Sequence, residues 1–138
     1  YIIPIGVADI KREGTDVTIV SFGKIIKEAY KAADELAKEN ISVEIIDLRT
    51  VRPMDHAAII NSVKKTNRLV VLEEAWPFGS IATEITYRVQ DQIFDYLDAP
   101  VKRITTADTP APYSPVLLEK WIPNSNDVIK AVKEVMYI

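Results

Sequence analysis

Short apolar runs alternate with stretches of helical periodicity along most of the chain. Val17-Thr18-Ile19-Val20 is a β-branched run that predicts a strand, closed by a turn at Ser21-Phe22-Gly23. From Lys24 to Glu39 the apolar positions Ile25, Ile26, Ala29, Ala33, Leu36 and Ala37 recur at helical spacing. Lys24, Glu28, Lys31, Glu35 and Lys38 take the opposite face, and Asn40 is placed to stop the helix. Val43 to Ile46 predicts the next strand, ending in Asp47-Leu48-Arg49. Pro53 then blocks helix, and Asp55 is placed as the N-cap of a helix turning Ile59, Ile60 and Val63 inward. Leu69-Val70-Val71-Leu72 is uninterrupted, as expected of a strand covered on both faces. After Pro77 and Gly79, the spacing of Ile81, Ile85, Val89 and Ile93 predicts another helix, and Val101 to Ile104 a weaker strand. Four of the eight prolines fall in the stretch from Thr105 to Pro123, which predicts mostly irregular structure there. A last helix is expected from about Asn124–Asp127, carrying Val128, Val132, Val135 and Met136.

Strands separated by helices pair in parallel through right-handed crossovers, so the pattern predicts an α/β fold with three α/β/α layers. Val7 to Arg12 is joined to Val17 by Glu13-Gly14-Thr15-Asp16 and could add an edge strand. Repeats, low-complexity tracts and linkers are lacking, so residues 1–138 read as one domain. Because the sequence opens on Tyr1, a piece of a longer protein is the working expectation.

Composition narrows the chemistry. The formal net charge of −3 lacks the clustered cations that neutralise a phosphate backbone, so no nucleic-acid partner is expected. The apolar runs stay well short of the roughly 20 residues a membrane-spanning helix needs, so no membrane partner is expected either. With no Cys there is no thiolate nucleophile, zinc thiolate site or disulfide. His56 is the single histidine, which removes two-His metal sites and makes it the only possible base of a Ser-His-Asp triad. The glycines, Gly6, Gly14, Gly23 and Gly79, are too far apart for G-x-G-x-x-G or a P-loop.

Ligands of open parallel sheets sit at the carboxyl ends of the strands. Those ends carry Ser21, Asp47, Arg49, Glu73, Glu74 and Asp108. The Glu73-Glu74 pair invites an acid/base reading, but adjacent strand residues face opposite ways and the two carboxylates should not converge. Structural ion pairs among Arg49, Arg52, Glu73 and Glu74 are the expectation. Arg52 is expected between a strand end and a helix N-terminus, with Asp47, Glu73 or Glu74 as its partner. His56, in a first helical turn, would have its cationic form disfavoured by the helix dipole, which suits a neutral base or an ordinary surface residue. Trp76, Phe78, Tyr113 and Trp121 lie in Pro-rich connections, either packed under loops or held against a partner. A receiver or flavodoxin-like module shares the layer pattern, but Ser21-Phe22-Gly23-Lys24 is too short for a flavin-phosphate loop.

Several motifs occur together in one order. Tyr1-Ile2-Ile3-Pro4-Ile5-Gly6 with Ile10-Lys11-Arg12-Glu13-Gly14 resembles the segment opening the C-terminal domain of pyruvate dehydrogenase beta subunits. Asp47-Leu48-Arg49-Thr50-Val51-Arg52-Pro53-Met54-Asp55 resembles the Arg-Pro-Leu/Met-Asp signature of that domain in transketolase-like enzymes. Thr66-Asn67-Arg68, Glu73-Glu74, Trp76-Pro77, Leu97-Asp98-Ala99-Pro100 and Ala107-Asp108-Thr109-Pro110-Ala111-Pro112-Tyr113 follow in the family's order. The resemblance covers residues 1–138. Tyr113 fits the pyruvate type, where branched-chain relatives tend to carry Phe; Ser114-Pro115 and Glu119 depart from the pattern.

The resemblance implies a mostly parallel five-stranded sheet with one antiparallel edge strand. It also implies a parent enzyme, an alpha/beta heterotetramer that decarboxylates pyruvate on thiamine diphosphate and magnesium and acetylates lipoyl groups. The family's diphosphate motif lies in the alpha subunit and its other active-site groups in the beta subunit's N-terminal domain. No catalytic, cofactor-binding or metal residue is therefore carried onto this chain. The implied partners are the alpha subunit, a second beta subunit and the subunit-binding domain of the dihydrolipoyl acyltransferase. In similar beta subunits the Asp of Leu-Asp-Ala-Pro and the terminal carboxylate contact that small basic domain, which points to Asp98 and Ile138 here. The implied location is the cytoplasm in a bacterium or the mitochondrial matrix in a eukaryote. Two readings stand: an assembly and docking domain that is inert alone, or an independent module holding a small anion near Arg49 and Arg52. Within the first, a branched-chain 2-oxoacid or acetoin dehydrogenase beta subunit is the alternative to the pyruvate type.

Overall fold

A computed structural model describes all 138 residues. Its elements run β1 (Asp9–Arg12), β2 (Val17–Ser21), α1 (Ile26–Lys38), β3 (Val43–Asp47), α2 (His56–Thr66), β4 (Leu69–Leu72) and α3 (Ile81–Ile93). A 3₁₀ turn (Phe94–Tyr96), β5 (Lys102–Ile104), α4 (Pro115–Trp121) and α5 (Ser125–Met136) complete the chain.

The five strands form one sheet in the order β1-β3-β2-β4-β5. β1 runs antiparallel to β3, and the other neighbours are parallel. Side chains alternate across the sheet with period two, which splits the core into two layers. Val17, Ile19, Val43, Ile45, Val70 and Leu72 pack with α1 and α5. Val20, Ile46, Leu69 and Val71 pack with α2 and α3 on the other face. Both sheet edges are poor templates for a further strand: β1 has a register shift between Ile10 and Arg12, and β5 is three residues long with exposed Lys102 and Arg103.

Local chemistry accounts for the helix ends. The Asp55 side chain accepts from the Ala58 N–H at 3.1 Å, capping α2. Asn124 and Asp127 form a reciprocal capping box at the start of α5. Asn40, just past the end of α1, adopts a left-handed conformation, φ 61°.

The stretch from Thr105 to Pro123 is mostly irregular, as expected, with one short helix, α4, at Pro115–Trp121, where Pro115 stands at a position at which its missing N–H costs nothing. The expected ion-pair cluster, by contrast, is not formed. Arg49 pairs with Asp9 on the edge strand, Nη2 to Oδ2 at 2.7 Å, while Arg52 is exposed and without an ion pair. Sheet order is the cause: β2 lies between β3 and β4, so Glu73 and Glu74 stand two strands away from Arg49.

Candidate functional site

The carboxyl edge of the sheet holds the residues expected there, each in its own surroundings. Ser21 is buried and its hydroxyl donates to the Leu72 carbonyl at 2.8 Å. Asp47 accepts the Arg49 N–H at 3.0 Å in a local turn. Glu73 is fully buried, and one carboxylate oxygen accepts the Ala82 N–H at 3.1 Å in the first turn of α3, where a negative charge is favourable. Glu74, its neighbour, is exposed, so the two carboxylates face opposite ways. Glu74 and Lys24 border an open crevice of about 440 Å³ that reaches Leu118 and Ile122. Asp108 is exposed. His56 opens α2 half-buried; burial and then Arg88 hold its pKa below 6.5, against the opposing pull of Glu84 and Asp55. No three His, Cys, Asp or Glu side chains converge as a metal-binding group.

The densest polar network lies inside the fold and was missed from the sequence. Glu44 of β3 is 1% exposed. It accepts the Gly14 N–H at 3.1 Å and the Ser62 hydroxyl at 2.5 Å, and it pairs with Lys65. The Ser62 hydroxyl meets Thr18 at 2.6 Å, and Thr18 meets Thr66 at 2.7 Å. Burial alone would raise the Glu44 pKa; Lys65, Ser62 and the Gly14 N–H outweigh it and hold the carboxyl below its ordinary 4.5. Gly14 is required where it sits, because a Cβ would come within 2.2 Å of the β3 backbone at Val43–Glu44. A sequence signal existed: Thr18 and Glu44 interrupt apolar strands, and Ser62 and Thr66 lie four apart on the facing helix. The network joins β2, β3 and α2.

The loop aromatics divide into anchors and an exposed set. The indole N–H groups of Trp76 and Trp121 both donate to the Thr109 carbonyl, at 2.8 and 3.0 Å. The Thr106 N–H donates to the Ala75 carbonyl and the Ala107 N–H to the Trp121 carbonyl, tying the connections after β4 and β5 together. From this ordered base Phe78 projects at 92% exposure and Tyr113 stands free of the protein, with Val116 and Leu117 of α4 also exposed. An ordered display of large apolar side chains is what a protein interface uses.

Asp98 and the end of α5 come together on a different face. Asp98 and Tyr137 line one groove of about 470 Å³ with Phe94, Leu97, Pro100 and Val101. The Asp98 carboxylate is 56% exposed, and Ile138 beside Tyr137 is also exposed. The groove is therefore an apolar trough with an acidic rim.

Comparison with known proteins supplies the lineage. The pattern of the transketolase C-terminal domain matches residues 6–128. The pyruvate dehydrogenase E1 component subunit beta of Rhizobium meliloti is 53% identical over 137 residues, 99% of this chain and 30% of that protein. Its mitochondrial counterpart in Dictyostelium discoideum is 47% identical, over 98% of this chain and 38% of that protein. The beta subunit of acetoin:2,6-dichlorophenolindophenol oxidoreductase from Bacillus subtilis is 46% identical, over 99% of this chain and 40% of that protein. The chain thus spans about a third of the length of these relatives. Among solved structures, a split-gene transketolase forming an inactive beta4 tetramer superposes with a TM-score of 0.85 at 26% identity, over 98% of this chain and 43% of that one.

Proposed function

The chain belongs to the transketolase C-terminal domain family, and we propose that it is the assembly and partner-docking domain of a thiamine-diphosphate-dependent pyruvate dehydrogenase (acetyl-transferring) component. In this reading residues 1–138 form the C-terminal part of a beta subunit. Their partners are the alpha subunit, a second beta subunit and the subunit-binding domain of the dihydrolipoyl acyltransferase. The whole enzyme decarboxylates pyruvate and acetylates lipoyl groups, and this domain alone is inactive. The cofactor and its magnesium are held by other parts of that enzyme. Its location follows the host: the cytoplasm of a bacterium or the mitochondrial matrix.

The observation that carries the reading is the exposed apolar set at Phe78, Tyr113, Val116 and Leu117 on connections that are themselves hydrogen-bonded in place. An isolated soluble domain gains nothing by ordering such a surface and leaving it wet. Covering it with a partner removes the apolar area from water at about 25 cal/mol per Å². Asp98 and Ile138 supply a second, acidic contact for the acyltransferase domain, whose basic surface would be steered toward it. The alternative of a free-standing anion-binding module draws little support, because Arg49 is occupied by Asp9 and Arg52 points to solvent without a converging cation. An acetoin dehydrogenase beta subunit remains the second reading, favoured by the 46% identity to the Bacillus subtilis protein.

The test uses the beta subunit that contains this chain, co-expressed with its alpha subunit. Phe78→Ser with Tyr113→Ser should shift the sedimentation profile from heterotetramer toward smaller species while leaving the beta subunit folded. A heterotetramer of unchanged affinity would remove this surface from the assembly.

A further inference from the structure

We infer that Arg68 is the positioning residue of the docking groove, fixing the Asp98 carboxylate relative to the end of α5; the inference rests on the docking role proposed above for Asp98 and Ile138. Arg68 stands in the two-residue connection Asn67–Arg68 between α2 and β4. Its Nε donates to the Val135 carbonyl at 3.2 Å and its Nη1 to the Asp16 carbonyl at 3.3 Å. Its Nη2 then lies 3.7 Å from Asp98 Oδ2. The neighbouring Asn67 takes part as well: its carbonyl accepts the Asp98 N–H at 2.9 Å, and its side-chain amide donates to the Tyr96 carbonyl at 2.8 Å.

The last carbonyls of a helix lack intrahelical donors. At the end of α5 the Tyr137 N–H serves the Glu134 carbonyl and the Ile138 N–H serves Lys133, at 3.2 and 3.1 Å. The Val135 carbonyl is taken up by Arg68 instead. One guanidinium therefore grips the last turn of the helix that ends beside Ile138, and it faces Asp98 with its remaining nitrogen. A guanidinium is planar and rigid, so fixing two of its nitrogens sets the direction of the third. At 3.7 Å that third nitrogen attracts the Asp98 carboxylate without a close hydrogen bond, and the carboxylate keeps its exposed acceptor sites for an incoming cation. Asp98 is thereby aimed rather than neutralised. A partner then meets the Asp98 carboxylate at a preset position beside the end of α5, which lowers the ordering cost of binding.

The experiment titrates the assembled alpha/beta enzyme with the acyltransferase subunit-binding domain, calorimetrically, for wild type, Arg68→Leu, Arg68→Lys, Asp98→Ala and the Arg68→Leu/Asp98→Ala pair. Arg68→Leu should weaken binding by about threefold to tenfold. Arg68→Lys should weaken it too, because the charge stays and the fork is lost, and it carries the test if the leucine variant folds poorly. In the double variant the loss should be non-additive, close to that of Asp98→Ala alone, since Arg68 acts through Asp98. A general loss of stability would instead add to the Asp98 effect. Unchanged or tighter binding by both Arg68 variants, or full additivity, while Asp98→Ala still weakens binding, overturns the positioning role and leaves the docking role standing. Unchanged binding by Asp98→Ala overturns the docking reading, and the positioning role with it.

Discussion

Trp76 and Trp121, 45 residues apart in sequence, converge on one acceptor: both indole N–H groups donate to the Thr109 carbonyl, at 2.8 and 3.0 Å. A carbonyl oxygen has two lone pairs, and both are used here by side chains from different connections. The result is an ordered strut in a stretch where prolines remove backbone donors. It holds the segment that presents Pro110, Pro112 and Tyr113 outward.

Removing either indole should loosen that strut without unfolding the sheet. Trp76→Phe and Trp121→Phe each delete one hydrogen bond, worth about 0.5–1.5 kcal/mol net. Hydrogen exchange should speed up at the Ala107 amide, which bonds the Trp121 carbonyl, while amides of β2 and β4 keep their protection. Equal acceleration across the sheet would mean the strut is part of the global core.

The buried Glu44 network predicts acid sensitivity. The folded carboxyl is held below its ordinary 4.5, so in acid the unfolded chain binds a proton that the folded one does not. Stability from this group is present above about pH 4.5 and is lost as pH falls through the lower folded pKa. Glu44→Gln should cost about 1–3 kcal/mol at pH 7 and make urea midpoints less dependent on pH below 4.5. An unchanged pH profile in the variant would assign the acid sensitivity to other carboxylates.

Arg49 and Arg52, three residues apart, should respond differently to truncation. Arg52→Ala is expected to change stability by less than about 0.5 kcal/mol, as for an ordinary surface position. Arg49→Ala removes the partly buried pair that joins β3 to the edge strand through Asp9 and should cost about 1 kcal/mol. Chemical denaturation of both variants checks the order, and a larger loss at Arg52 would contradict the ion-pair assignment.

These residues also show how far the fold could be read from the chain. The strands and long helices were legible because burial on both sheet faces leaves unbroken runs such as Leu69–Leu72, and amphipathic helices leave a 3.6-residue period. The edge strand was legible as an expectation, and the structure places it antiparallel on β3. The ion pairs were not legible, since pairing depends on which strands are neighbours, and the order β3-β2-β4 is a tertiary outcome. α4 was hidden because Pro115 reads as a breaker although it sits at a helix start. The buried network was half visible: Thr18 and Glu44 break apolar runs, but their register across β2 and β3 had to be seen. Asp98 was picked out by a motif, whereas its proximity to the end of α5, through Arg68, is a product of the fold.

Whether this chain acts as a docking domain is decided by binding of the acyltransferase subunit-binding domain to the assembled enzyme at two salt concentrations. Asp98→Ala, and separately a few residues appended after Ile138, should each weaken binding by about tenfold at low salt, with a smaller difference at high salt where the charges are screened. Circular dichroism should show both variants folded as wild type. Unchanged low-salt affinity in both variants would contradict that role and place the docking surface elsewhere.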